Sequence, residues 1–586
     1  MMFFFFVNKY DIIFLLIKEE ILNFMKDRLY DKITKNKLWF IAAIIFAALV
    51  ASFPGFLTST YIGKDLTFHI YRIQEMATNI KQGVWLPAVQ SNNILGYGYL
   101  VDIFYPNLFL YPAAILALII SPLTAFKILI FTYNIFTFWI SYKSSKITTN
   151  NDRFSFYFAL FYVLYPYKIL NFYLNGFVGE FLAYAFLPLV FFGVKRLFDE
   201  NKWKMLAIGM IGILYSHLIT LLLASIYIAI YCVFNYKKVF NNAKIIINLI
   251  KTTVTTVVIG SAFLVPFFQY IISDSYKYNL NADISGILSY GLINLPIYIE
   301  ILLQILIIAG LVVFYNKNKD RSEEKFKSSK EIMKCFLILI YVIIALTKIY
   351  PWEVFEHVPF LRNIQFSLRI LGFVSPIIIF IITDLAMSLK NMNEAFIIFF
   401  VSCMLISVNQ SLSKLQENEE IINYNEVLQD EEGYQEGTFI DIIGAEYVPA
   451  EFTLDGVDLM EIQMESLLKN NKEKFSGEVE YSKLVKDNSL ETKLEVKTNK
   501  KVDAYLPLIY YKNYNAYDED GNIIEKYEKD GMIALKDITS GTITVRYEVD
   551  TTQKITALVS LLTALCFLIN IINKNKKYLQ KNKNMV

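Results

Sequence analysis

Cysteine and histidine are scarce in this chain of 586 residues, which holds four of one and three of the other. The four cysteines, Cys232, Cys335, Cys403 and Cys566, all fall inside apolar stretches, and none lies in the acidic region 410–552. Disulfides are therefore not expected, and that region must be held by its own core. The histidines, His69, His217 and His357, stand at spacings that match no metal-ligand motif. No cofactor is certain on these grounds, and a divalent metal stays open. Charge is scarce too, at 19% of residues against 55% hydrophobic and 16% aromatic. Such a composition excludes a string of soluble domains. No nucleic-acid partner is expected.

What is present is a series of long apolar runs. Stretches of roughly 18 or more apolar residues, the length a helix needs to cross a hydrocarbon core, recur from Leu38 to Asn409 and once more near the C-terminus. Helices are the expected form, because unpaired backbone groups are too costly in lipid. The fold class is thus an α-helical polytopic membrane protein carrying a C-terminal extracytoplasmic β-sandwich-like domain.

The net charge of +2 hides an asymmetry. Residues 411–550 hold 31 acidic and 15 basic side chains, which leaves the rest of the chain at +18. Short basic connectors, such as Lys195 to Lys204 and Lys237 to Lys244, are then cytoplasmic by the positive-inside rule. Alternation of connectors and apolar runs gives about 12 crossings, with both termini cytoplasmic and the acidic region outside. Residues 108–142 must make an odd number of crossings, yet Ser121-Pro122 divides them; a short re-entrant piece is one solution. The expected divisions are an N-terminal segment 1–37, a membrane domain 38–409 with its first outer loop at 58–107, an outer domain 410–552, a last span 553–573 and a basic tail 574–586. Residues 1–24 are apolar but interrupted by charge and lack a small-residue cleavage site. They read as an amphipathic inner-surface extension, or as the product of an upstream mis-start with Met25 the initiator.

The loop 58–107 is too long for a plain connector. Within it Leu66, Ile70, Ile73, Ala77 and Ile80 recur at helical spacing, and Gly83 and Pro87 end the pattern. An amphipathic surface helix is expected there. Asp65, His69 and Arg72 share an arc of roughly 60° on that helix. One reading is the edge of an active site, with Asp65 as general base and Arg72 or His69 binding an anion. The other is a helix N-cap and a solvated face. Further polar groups stand beside membrane helices. Glu180 begins an apolar segment, His217 interrupts one, and Gln365 with Arg369 enters another. Singly each has a structural explanation: helix-end pairing, a satisfied turn residue or snorkelling. Together they place polar groups from separate segments at one membrane level, as an outward-facing pocket requires.

In the acidic region the pattern alternates from Gly477 onward. GEVEYSKLV, ETKLEVKT, VDAYLPLIYY and TITVRYEV read as strands, and Asp520-Gly521 as a hairpin turn. Residues 411–470 read as acidic and partly helical. Tyr510, Tyr511, Tyr514 and Tyr517 form an aromatic cluster, either stacked in the core or available to sugar rings.

These segments also carry a resemblance. DLTFHIYRIQ, GYGYLVDIFYPNLFLYPAA, GEFLAYAFLPL, YSH and NIQFSLRILGF resemble bacterial membrane proteins labelled 6-pyruvoyl-tetrahydropterin-synthase-related. That family is similar to GT-C glycosyltransferases, including the YfhO-like group. The resemblance extends over roughly residues 38–550. It implies an enzyme that takes a sugar from a polyprenyl-phosphate carrier to a cell-envelope acceptor (glycan, lipid or protein) on the outer face of the plasma membrane, among membrane lipids. It further implies Asp65 as the catalytic acid of the first outer loop and Glu180 as a second. Arg72, His217 and Arg369 would bind the lipid phosphate, and His69 and Gln365, from the residue reading above, join them as substrate-binding candidates. One departure is Ser367 where a proline is expected, with Leu368 in place of an aromatic. Nothing supports the pterin label. The alternatives are a flippase for a lipid-linked saccharide, against which stand the lack of an internal repeat and the few mid-helix charges, and a non-catalytic envelope scaffold.

Overall fold

The computed structural model describes residues 36–57, 61–62, 64–273, 276, 368–388, 422–423, 447–454, 457–458 and 470–583. The N-terminal extension, His357, Gln365, Cys335, Cys403 and most of 411–470 lie outside them. The described residues form a helical bundle and a β-region.

Helix α1 (Lys37–Leu57) leads into α2 (Lys64–Lys81), the amphipathic helix of the long loop. Its periodic residues Leu66, Ile70, Ile73, Ala77 and Ile80 are all buried, so it packs into protein along that face. A short helix α3 (Tyr111–Leu116) precedes α4 (Pro122–Thr149), whose N-terminus is capped by the Ser121 side chain accepting from the Thr124 N–H at 3.2 Å. The divided stretch 108–142 is thus one short helix and most of one long one.

The next apolar run breaks into short pieces. These are α5 (Asp152–Val163), α6 (Pro166–Asn175), α7 (Val178–Tyr184) and α8 (Leu187–Glu200). Pro166 starts α6, because proline lacks an N–H and restricts the residue before it. Gly176 ends α6 at φ +74, a left-handed conformation that favours glycine. Helices α9 (Lys204–Leu214) and α10 (Leu218–Phe234) follow, parted at His217. Then come α11 (Ala243–Ile259) and α12 (Ser261–Ser273), bent by 73° at Gly260, and α13 (Leu368–Ser388) and α14 (Thr551–Lys583).

Among the described residues four stretches are long and apolar enough to cross a membrane: 37–56, 122–149, 178–200 and 551–573. The bent pair α11 and α12 makes a fifth if it is one span. That is fewer than the expected 12 or so. Part of the difference is physical: apolar runs at 152–175 and 204–234 are divided into helices of 17 residues or fewer, at or below the shortest length for a straight crossing. The apolar runs of 277–367 and 389–409 lie outside the described residues.

The β-region holds two antiparallel sheets. Strands are β1 (Lys474–Phe475), β2 (Tyr481–Asn488), β3 (Glu491–Lys497), β4 (Val502–Ile509), β5 (Tyr514–Tyr517), β6 (Ile523–Ile524), β7 (Lys526–Lys529), β8 (Met532–Ile538) and β9 (Gly541–Tyr547). One sheet runs β6-β5-β9-β3-β2 and the other β7-β8-β4-β1. The hairpin expected at Asp520-Gly521 pairs Tyr517 with Ile523. Tyr511 and Tyr514 are buried in the core, which answers the aromatic cluster as packing at those two positions.

This core is not closed on itself. Val89, Tyr97, Tyr99 and Leu100 of the loop after α2 share it with Val502, Leu506, Ile509 and Tyr511. The Ile509 N–H donates to the Tyr97 carbonyl at 2.9 Å, and the Asn471 amide to the Leu95 carbonyl at 2.7 Å. The loop between α2 and α3 is therefore clamped between the bundle and the β-region.

Candidate functional site

Helix α2 carries its polar stripe into the protein. Arg72 is fully buried, and an unpaired guanidinium there would be prohibitive. Asp102, also buried, answers it: Nε and Nη2 donate to Oδ1 at 3.2 and 2.9 Å. Nη2 also donates to the Tyr105 carbonyl at 2.9 Å. The second Asp102 oxygen accepts from Gln90 Nε2 at 2.8 Å. The Tyr105 ring lies 4.7 Å from the guanidinium carbon, a cation–π contact.

Arg72 Nη1 stands 3.4 Å from His69 Nδ1. A guanidinium only donates, so Nδ1 is the acceptor and the ring proton sits on Nε2. Burial and the Arg72 charge hold this imidazole well below its ordinary value, so His69 is neutral at pH 7. The sequence stripe therefore divides: His69 and Arg72 are buried, whereas Asp65, one turn earlier, is exposed. Gly176 fixes where Asp65 stands, because a Cβ there would lie 2.6 Å from the Leu66 nitrogen and 2.9 Å from that of Asp65.

Aromatic contacts extend this cluster toward the bundle. The Tyr105 ring is 5.5 Å from His69 and 6.5 Å from His217. His217, in extended backbone at the start of α10, is bonded through Nδ1 to Thr220 Oγ1 at 2.8 Å. It lies within electrostatic reach of Arg369, which faces Glu180 with 3.7 Å between Nε and Oε2. Glu180 Oε1 accepts from the Tyr167 hydroxyl at 3.3 Å, while Oε2 has no hydrogen bond among the described residues. Gly372 makes room for this carboxylate, since a Cβ there would meet Oε1 at 2.5 Å. The Arg369 guanidinium also lies 5.0 Å from the Phe177 ring.

Five of the seven candidates, His69, Arg72, His217, Glu180 and Arg369, thus meet in one buried network drawn from α2, α7, the start of α10 and α13. Asp65 stands beside it at the surface, and Gln365 lies outside the described residues. The sequence reading missed Asp102, Gln90, Tyr105 and Tyr167. The signal for Asp102 was available: it is an acid in an apolar run, LVDIF, and such a group needs a partner. Asp102 also occupies Arg72, whose Nε and Nη2 donate within the protein. Among the described residues no group of three or more His, Cys, Asp or Glu is placed to hold a metal ion.

No family model matches this chain. It is similar to an uncharacterized protein of Lactococcus lactis subsp. cremoris (strain MG1363), with 22% identity over 94% of this chain and 98% of the other. The likeness therefore runs through both the helical bundle and the β-region.

Proposed function

We propose that this protein is a membrane glycosyltransferase of the GT-C type, acting at the outer face of the plasma membrane on a polyprenyl-phosphate-linked sugar. On this reading the chain crosses the membrane about 12 times with both termini cytoplasmic. The observation that supports it is a buried network of Glu180, Arg369, His217 and His69, with the exposed carboxylate residue Asp65 one turn before His69 on the same helix. A carboxylate, a guanidinium and hydrogen-bonding imidazoles are the groups a transfer between a hydroxyl and a phosphate requires.

The roles follow from placement. Asp65, exposed at the start of α2, takes the proton of the acceptor hydroxyl. The hydroxyl oxygen bonds to the sugar's anomeric carbon as the bond from that carbon to the phosphate oxygen breaks, and polyprenyl phosphate leaves. Arg369 and His217 face the leaving phosphate. Glu180 orients Arg369 or contacts the sugar hydroxyls. Arg72 acts at one remove: pinned by Asp102, it holds His69 and the Tyr105 backbone in place. The cell-envelope acceptor would enter beside the β-region, whose core includes the loop that carries Asp102.

The test is chemical consumption of the donor. Membranes bearing the protein, incubated with labelled polyprenyl-phosphate sugars, should release free polyprenyl phosphate and label an envelope acceptor. A flippase would move the donor across the bilayer with its glycosidic bond intact, and a scaffold would do neither.

A further inference from the structure

Beneath the α2 N-terminus a solvent-open apolar groove lies between α1, α4 and α6. Phe56, Leu123, Phe126, Ile130 and Phe172 wall it, and the half-buried Lys127 stands among them. Two further polar side chains line it: Tyr173, whose hydroxyl donates to the Ala51 carbonyl at 3.4 Å, and Ser52, whose chemistry is set by a buried lysine.

Lys168 on α6 is 4% exposed. Among the described residues no carboxylate lies within ion-pair distance of it. The Phe181 and Tyr184 rings lie 4.8 and 5.4 Å from Nζ, and Nζ donates to Asn134 Oδ1. An amide oxygen only accepts, so with the Asn134 carbonyl toward Lys168 its amide nitrogen faces the other way. That nitrogen donates to Ser52 Oγ at 2.9 Å. Ser52 is 2% exposed and lines the groove. Hydroxyls on α4 spend their protons on the preceding turn, as Thr137 does on the Tyr133 carbonyl and Ser141 on that of Thr137. Ser52 makes no such bond. The donor chain from Lys168 through Asn134 therefore ends on a hydroxyl proton presented to an apolar groove, where a donor without an acceptor is costly.

We infer that this groove is a binding site for one acyl chain of an anionic phospholipid, whose ester carbonyl accepts from Ser52 and whose phosphate lies toward Lys127. An ester oxygen is an acceptor only, matching the direction of the chain. Ser52 lies five residues before the end of α1, roughly 7 Å along the axis. A polyprenyl phosphate is hydrocarbon up to its phosphate and offers no acceptor at that depth. This inference stands apart from the transferase reading and does not rest on it.

The experiment uses the full-length protein in nanodiscs containing phosphatidylglycerol with a photoreactive diazirine in its acyl chain. Crosslinks should map to Phe126, Ile130 and Phe172. Ser52→Ala should reduce them about threefold to tenfold, the value of one hydrogen bond, while Ser52→Thr retains them. Lys168→Met should act in the same direction by releasing the Asn134 amide; should that variant fail to fold, Ser52→Ala decides alone. Added polyprenyl phosphate at equal mole fraction should leave the crosslinks unchanged. Undiminished crosslinking in Ser52→Ala, or displacement of the label by polyprenyl phosphate, would overturn the assignment.

Discussion

Removing Asp102 tests the network at its most buried point. In Asp102→Ala the guanidinium of Arg72, fully buried, loses the oxygen that accepts from both Nε and Nη2. Gln90 loses the acceptor of its amide at the same time. Breaking one side of a buried pair costs about 3–5 kcal/mol, because the surviving charge is uncompensated. At about 2–4 °C per kcal/mol, the conversion for a unit of about 150–250 residues, the midpoint should fall by at most roughly 6–20 °C. Thermal unfolding of the detergent-solubilised protein, followed by tryptophan fluorescence, measures this. The double variant Arg72→Met, Asp102→Leu removes both charges and should recover most of the loss, since apolar replacement of a buried pair is often near neutral. A single variant within about 2 °C of the parent, or a double variant no better than the single, would refute the account of Arg72 as a positioning residue tied to Asp102.

Gly176→Ala should destabilise by about 1–3 kcal/mol, from the strained φ alone, and should also shift the start of α2. Lost transfer activity beyond the fraction of unfolded protein would report the displacement of Asp65. Acid sensitivity follows from His69: its folded value lies below the unfolded one, so its contribution is complete above about pH 6.5 and is lost as pH falls. The slope is at most about 1.4 kcal/mol per pH unit. Unfolding midpoints between pH 7.5 and 5 should therefore fall less steeply in His69→Gln than in the parent; equal slopes would count against a buried neutral imidazole. Glu75, raised by burial, acts with the opposite sign and is common to both proteins. Lys486, which donates to the Ser91 carbonyl across the junction of β-region and loop, should on change to Met weaken the clamp by about 1.5–3 kcal/mol. Faster proteolysis of the loop between α2 and α3 is the readout, and an unchanged cleavage rate speaks against the clamp.

The strands were legible because period-two alternation survives wherever one sheet face is buried, as in β3, where Thr492, Leu494 and Val496 point inward. The turn joining β7 to β8 uses Asp530-Gly531, both at positive φ. It is the same signal as Asp520-Gly521, passed over because Met532 to Ile538 lacks clean alternation. Crossings were harder to read, since apolarity measures burial and not helix length; Pro166 and Gly176 cut one run into pieces that a hydropathy pattern joins. At the site, residue type and spacing brought forward His69, Arg72, Glu180, His217 and Arg369. Spacing does not encode which buried charge pairs with which. Arg72 and Asp102 are thirty residues apart, and their meeting depends on a loop held by the β-region.

The role of Asp65 is the centre of the functional account, and one rate comparison addresses it. Carrier-linked sugar consumption is measured in membranes holding equal amounts of folded parent and Asp65→Asn. Loss of a general base predicts a rate per folded molecule lower by about 100-fold or more. A variant that consumes the donor at the parental rate would contradict it.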